Sequence, residues 1–176
     1  MKFKIFRFKK VKSTNSTAIR IIKNYKFNYG MIISETQNKG RGQYGKKWIS
    51  YKGNLFVSFF YKIEDLTASV KQLTKINCIL VRELLSKYYK KKITFKKPND
   101  LLIDKKKICG ILQETLIKLD KKYLIVGVGI NLIKSPNIKN YPTTNLKELL
   151  NKKVSKIKIE NQLKKNFELK LTKLYK

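Results

Sequence analysis

Met31-Ile32-Ile33-Ser34-Glu35-Thr36, then Gln37-Asn38-Lys39-Gly40-Arg41-Gly42-Gln43-Tyr44-Gly45-Lys46-Lys47-Trp48, then Asn54-Leu55-Phe56-Val57-Ser58-Phe59-Phe60-Tyr61 is the stretch that decides the fold. An apolar run, a glycine-rich loop and a second run dense in strand formers read as two strands of one sheet joined by the loop. The glycines thus lead into a strand. A Walker loop would end in Gly-Lys-Ser/Thr, and a dinucleotide fingerprint would open a helix; neither occurs here.

The loop itself carries chemistry. Three glycines within six residues let the backbone turn back and approach a ligand closely. Arg41 sits between two of them with a guanidinium fork suited to phosphate or carboxylate, and Lys46 and Lys47 add mobile point charges. Taken alone, the segment also fits a basic surface hairpin that holds nothing. Trp48, the one tryptophan, offers a flat face to a base or a large ring to the core.

Working outward, Lys2 to Val11 alternates as a strand and runs into Ser13-Thr14-Asn15, strong N-cap residues for a helix with Ala18, Ile21, Ile22 and Tyr25 on one face. The polar triplet suits a helix cap and equally the polar head of a ligand. Leu66 to Tyr89 predicts a helix with Leu73, Ile76, Leu80, Leu84 and Tyr88 on its stripe. Ile93 to Ile103 is a strand broken by Pro98-Asn99-Asp100, a turn that Asn99 and Asp100 can close through side-chain bonds to the backbone. Lys96 stands where the strand enters that turn. A hairpin turn at Asp104–Lys107 and another at Asp120-Lys121-Lys122 lead to the apolar strand Tyr123–Leu132. There Gly127 and Gly129, two apart, leave one side bare, so a ligand or another backbone comes close. The tail is helical, beginning with Leu146, Leu149 and Leu150 and carrying Ile159, Leu163, Phe167 and Leu171 at four-residue spacing.

Composition excludes several classes. At 176 residues and 42% hydrophobic content the chain fits one domain with a proper core. No apolar run approaches membrane-spanning length, and the start alternates where a signal peptide would show an apolar block, which reads as a soluble cytoplasmic protein. The net charge of +31 invites a nucleic-acid-binding reading. Yet only Arg7, Arg20, Arg41 and Arg82 are arginines among 42 basic residues, and the lysines are spread along the whole chain as in a general composition bias. Such a surface does accelerate encounter with an acidic partner. Cys78 and Cys109 supply neither a disulfide framework nor a zinc set. With no histidine, Ser-His-Asp and Cys-His catalysis and His-ligated metals are ruled out, so chemistry rests on Lys, Arg, backbone amides and carboxylates.

Ser13-Thr14-Asn15, Gln37 with Gly40-Arg41-Gly42 and Trp48, Lys96 with Pro98-Asn99-Asp100-Leu101, Lys107 to Leu112, and Gly127 to Asn131 follow the order and spacing of biotin protein ligases, which this chain resembles across about 120 residues. The resemblance implies an α+β fold, a mixed, largely antiparallel sheet flanked by helices and related to the class II aminoacyl-tRNA synthetase core. It implies ATP with Mg2+ as cofactor, biotin as substrate, and a biotin carboxyl carrier domain as protein partner. The biotin carboxylate would attack the α-phosphate to give biotinyl-AMP, and a carrier lysine of the acetyl-CoA carboxylase type would then displace AMP. A lipoate or octanoate ligase or transferase shares the fold; the Gly-Arg-Gly loop and the Lys-x-Pro-Asn-Asp turn point to biotin.

Carried over residue by residue, the catalytic pair is Lys96 and Arg41. Ser13, Thr14, Asn15, Gln37, Gly40, Arg41, Gly127 and Gly129 would meet biotin. Arg41, Lys46, Trp48, Lys96, Asn99, Lys107 and Asn131 would meet the nucleotide, and no metal is expected on protein side chains. The loop from Asn38 to Lys47 is expected to move without ligand. Two departures stand out: Gln43 where the family has a further arginine, which bears on retention of the adenylate, and Lys97 where it has tryptophan. Residues 1–176 are expected to form one catalytic domain, without the N-terminal helix-turn-helix or the C-terminal β-barrel of some relatives.

Overall fold

Alternation along the extended segments sorts the chain onto two faces of one sheet, as the computed structural model, which describes residues 1–176, lays out. The seven strands are β1 (Lys4–Val11), β2 (Tyr29–Gln37), β3 (Leu55–Lys62), β4 (Ile93–Lys96), β5 (Asp100–Ile103), β6 (Lys106–Lys118) and β7 (Lys121–Ile130). Their order across the sheet is β1-β2-β3-β7-β6-β5-β4. β1 and β2 are parallel and enclose helix α1 (Thr14–Asn24); every other pair is antiparallel. The glycine-loop segment does join neighbouring antiparallel strands, β2 and β3.

The hairpins have local causes. Asp104 and Lys105 take φ of 48° and 62°, and Leu119 and Asp120 take 45° and 58°. Two consecutive positive φ values give the turn whose twist matches the flanking strands. The second turn therefore begins one residue earlier than the Asp-Lys-Lys triplet suggests.

Parity on β7 divides the interior. Leu124, Val126, Val128 and Ile130 enter the larger core with Val57, Phe59 and Tyr61 of β3. Covering that face are α2 (Val70–Ser86) and α4 (Lys156–Thr172), whose Ile159, Leu163, Phe167 and Leu171 are all fully buried. Phe167 stacks on Phe59 at 4.1 Å between ring centroids. On the opposite face Tyr123 and Ile125 join Ala18, Ile21, Ile22, Ile32 and Phe60 in a smaller core under α1. This second core stops where Gly127 and Gly129 begin.

Three expectations shift in detail. Tyr25 is the C-cap residue of α1 and is 58% exposed instead of lying on its apolar stripe. α2 starts later than the pattern suggests, because Ser69 and Gln72 form a capping box there. The tail is two helices, α3 (Leu146–Leu150) and α4, broken where Asn151 takes φ of 52°. Cys78 and Cys109 are buried and unpaired, and burial pushes the Cys78 thiol up to about 11, so both are structural.

Candidate active site

Beyond the N-terminus of α1 lies a cavity of about 840 Å³, enclosed by the glycine loop, the Lys96–Asp100 turn, β6, β7 and the segment 138–141. Its floor is set by cross-strand pairing. Gly110 on β6 sits opposite Gly129 on β7. A Cβ at Gly110 would lie 2.6 Å from the Trp48 indole, and one at Gly129 2.5 Å from it. The indole therefore lies against bare backbone, and its residue is anchored by the Trp48 main-chain N–H donating to the Gly40 carbonyl at 2.9 Å. A Cβ at Gly127 would come within 2.2 Å of Asn15 Oδ1. The close approach expected at these glycines is made by the side chains of Asn15 and Trp48, not by another backbone. The indole nitrogen, Trp48 Nε1, is buried without an acceptor in the protein.

The polar end is built where α1 begins. Ser13 Oγ caps the helix by accepting from the Ser16 N–H. Thr14 N–H and Oγ1 both donate to Gln37 Oε1, at 2.7 and 3.1 Å, and Gln37 Nε2 donates to Ser50 Oγ at 3.1 Å. Asn15 Nδ2 donates to Glu114 Oε2 at 2.7 Å, and Asn15 Oδ1 accepts from Ser58 Oγ at 2.5 Å. The same Glu114 oxygen holds the Arg41 guanidinium at 2.7 Å. Arg41 thus already grips a carboxylate, one the chain supplies itself. Glu114 on β6 stands opposite Ile125 of β7, which places it on the cavity face.

The loop is itself a small hairpin. Gly42 N–H donates to the Lys46 carbonyl at 2.7 Å, and Arg41 bridges to Lys47. A Cβ at Gly40 would strike the Trp48 carbonyl at 2.5 Å. Tyr44 (φ 54°) and Gly45 (φ 72°) turn its tip, with Tyr44 85% exposed.

The third wall gathers cations. Lys96 ends β4 opposite Asp100, is exposed, and holds its ammonium 4.3 Å from the centre of the Tyr141 ring. Lys107 Nζ pairs with Asp100 Oδ1 at 2.8 Å and stands 5.2 Å from the Trp48 ring centre and 5.4 Å from that of Tyr141. Tyr141 donates its hydroxyl to Asp100 Oδ2 at 2.5 Å. Burial first, then this bond, raises the Tyr141 pKa, which keeps the phenol a donor. Asp100 therefore does not close its own turn. Its carboxylate ties the turn to Lys107 and Tyr141, while Asn99 offers its carbonyl to Ile111 N–H at 2.9 Å.

Ser13, Thr14, Asn15, Gln37, Arg41, Lys46, Trp48, Lys96, Asn99, Lys107, Gly127 and Gly129 all line this one cavity. Gly40 and Asn131 lie outside the lining. Asn131 is buried, with its amide donating to the Thr144 carbonyl at 3.2 Å and its carbonyl oxygen accepting from Asn54 at 3.5 Å. Gln43 and Lys97, the two departures, reach the cavity as well.

Three contributors escaped sequence reading. Asn54 Oδ1 accepts the N–H groups of Leu132, Ile133 and Lys134 at 3.0, 2.9 and 3.2 Å, pinning the exit of β7 to the start of β3. Its position just before an apolar strand was the one signal for it. Glu114 could have been found from strand parity with Gly127 once the pairing of β6 and β7 was laid out. Tyr141 sits in a loop and carries no local signal. No cluster of three His, Cys, Asp or Glu side chains able to hold a metal ion occurs in the chain.

The model of the biotin/lipoate A/B protein ligase family matches residues 7–131. The bifunctional ligase/repressor BirA of Escherichia coli (strain K12) is 37% identical over 102 residues, covering 57% of this chain and 32% of its own length. The bifunctional ligase/repressor BirA of Bacillus subtilis (strain 168) is 30% identical over 127 residues, 71% of this chain and 39% of the relative. The matches span about a third of these curated relatives. Among solved structures, the biotin protein ligase from Aquifex aeolicus in complex with biotin and ATP superposes with a TM-score of 0.80 at 30% identity, covering 98% of this chain and 72% of that one. The biotin protein ligase from Leishmania major in complex with biotinyl-5-AMP shares the fold at a TM-score of 0.83 and 22% identity, covering 98% of this chain and 76% of that one.

Proposed function

Because the chain belongs to the biotin/lipoate A/B protein ligase family, we propose that it activates biotin with Mg-ATP and transfers the biotinyl group to a lysine of a biotin carboxyl carrier domain. The observation that carries this reading is a glycine-floored slot with the hydrogen-bonding side chains of Ser13, Thr14, Asn15 and Gln37 at one end, Arg41 held beside them by Glu114, and the cations Lys96 and Lys107 on a further wall. A neutral ring with a carboxylate tail fits that polarity. Similarity to a ligase solved with biotin and ATP supports it.

In the first step a biotin carboxylate oxygen attacks the α-phosphorus, and the bond to the leaving pyrophosphate breaks. Charge compensation and alignment are what this needs, and no histidine base is involved. Lys96 leaves the face of Tyr141 to meet the α-phosphate and the carboxylate. Arg41 exchanges Glu114 for the substrate anion, with the backbone at Gly40 beside it. Trp48 stacks on adenine; Lys46, Asn99 and Lys107 hold phosphate oxygens. A nucleotide contact by Asn131 requires its amide to leave Thr144. In the second step the carrier amine attacks the anhydride carbonyl, the C–O bond breaks, AMP departs, and the nitrogen loses its proton to solvent. Magnesium would arrive with ATP as part of the substrate.

Incubation with biotin, Mg-ATP and an acidic apo carrier domain, with mass spectrometry of the carrier as readout, tests the reading. A biotin-sized mass gain is expected. Lipoate in place of biotin separates the related activity of the same fold. No gain with either acyl acid, together with no biotin-dependent exchange of pyrophosphate into ATP, would end the proposal.

A further inference from the structure

A second cavity, of about 510 Å³, lies between α2 and the β4–β5 turn on the other side of Lys97 and Pro98. Its floor is Cys78, Ile79, Phe95 and Leu101, with Phe95 42% exposed at the sheet edge. Its rim is Lys71, Lys75, Arg82 and Lys97, all exposed. Lys71, Lys75, Cys78, Ile79 and Arg82 fall at helical spacing, so one face of α2 presents the apolar floor and three of the cations together.

What sets this groove apart from the general basicity of the chain is its lining, an apolar floor rimmed by four cations with no carboxylate among them. It also shares a wall with the reaction cavity, because Lys97 and Pro98 line both. A partner seated here is separated from Lys96 by the width of a single turn.

We propose that this groove is the docking surface for the acidic carrier domain, an inference that rests on the reading of the chain as a biotin ligase. Apolar residues of the carrier cover Phe95 and Ile79, its carboxylates meet Lys71, Lys75 and Arg82, and its target lysine reaches round the Pro98 turn. An apolar floor with cations on its rim suits a folded acidic domain better than a phosphate backbone. Nucleic acid gains its affinity from a run of cations and stacked aromatics, and here there is one aromatic ring.

The test is direct binding of an acidic apo biotin carrier domain, measured by titration calorimetry, to the wild-type chain, to the Lys71→Glu, Lys75→Glu, Arg82→Glu triple variant, and to Phe95→Ser. The triple variant is expected to bind at least about tenfold more weakly, with a flatter salt dependence, and Phe95→Ser about fivefold more weakly. Biotin-dependent pyrophosphate exchange, run in parallel, should be unchanged in both, because none of these residues lines the reaction cavity. Equal binding by wild type and triple variant, or no binding by wild type, overturns the docking surface. Loss of RNA binding in the triple variant with carrier binding intact overturns it too. Absence of exchange in the wild type would strike the ligase reading separately, since binding is measured without chemistry.

Discussion

The two faces of β7 differ in what the same strand is asked to hold. On one, Leu124, Val126, Val128 and Ile130 fill a continuous core under α2 and α4. On the other, Tyr123 and Ile125 pack under α1, and then Gly127 and Gly129 leave the strand bare where Asn15 and Trp48 descend onto it. One face is filled by the strand's own side chains; the other gives them up so that Asn15 and Trp48 can rest on the backbone at the floor of the cavity. The candidate site is an interruption of a core, on a strand whose reverse side stays intact.

The sharpest way to break that contrast is to remove chemistry without touching packing. Lys96→Ala should lower carrier biotinylation on the order of 10²–10³-fold in single-turnover assays. Because Lys96 is exposed, the thermal midpoint should not move. A large drop in the midpoint would mean that this wall belongs to the core after all. The converse is Leu124→Ala on the filled face, which should cost about 3 kcal/mol by urea unfolding. Its KM for biotin should stay near wild type while the protein is folded.

Filling the bare face comes next. Gly127→Ala places a methyl against Asn15, and Gly129→Ala places one against the indole. Each should weaken biotin or ATP binding, respectively, by roughly tenfold or more in calorimetry, in line with the ~1–3 kcal/mol cost of overpacking. Unchanged affinity in both would show that the floor tolerates bulk and that the glycines serve another purpose.

A smaller effect is expected at the cation wall. Tyr141→Leu removes both the ring under Lys96 and the donor to Asp100, and should reduce the rate of adenylate formation about fivefold. Tyr141→Phe keeps the ring and should recover most of that. If the phenylalanine variant is as slow as the leucine one, the hydroxyl bond to Asp100 is the part that matters. The smallest change is Gln43→Arg, which restores a guanidinium at the cavity mouth. Release of the adenylate, measured by its accumulation in filtrate, should slow a few-fold.

Much of the site was legible because its signals are local. The glycine spacing at 40, 42 and 45, the cap at Ser13-Thr14-Asn15 and the Lys96–Asp100 turn each announce themselves within a few residues. The strands are marked by alternation and the helices by four-residue spacing. The hidden part depends on pairing across the chain. Arg41 meets Glu114, 73 residues away, and Asp100 meets Tyr141, 41 residues away. No local pattern marks either pair. The boundaries that shifted did so for local reasons a pattern count overlooks: a capping box at Ser69, and positive φ at Leu119 and Asn151.

By itself, then, the sequence determined which segments are strands and helices to within a few residues, where glycine leaves the backbone bare, and that no histidine is available for chemistry. Those are properties of single residues and short spacings, set by backbone sterics and side-chain type. Only the tertiary structure decided that Gly110 and Gly129 share one floor, that Trp48 and Asn15 rest on it, that Glu114 occupies Arg41, and that a basic groove backs onto the Lys96 turn. Those depend on strand register and on which face each residue takes, and register is fixed by the whole sheet closing on two cores at once.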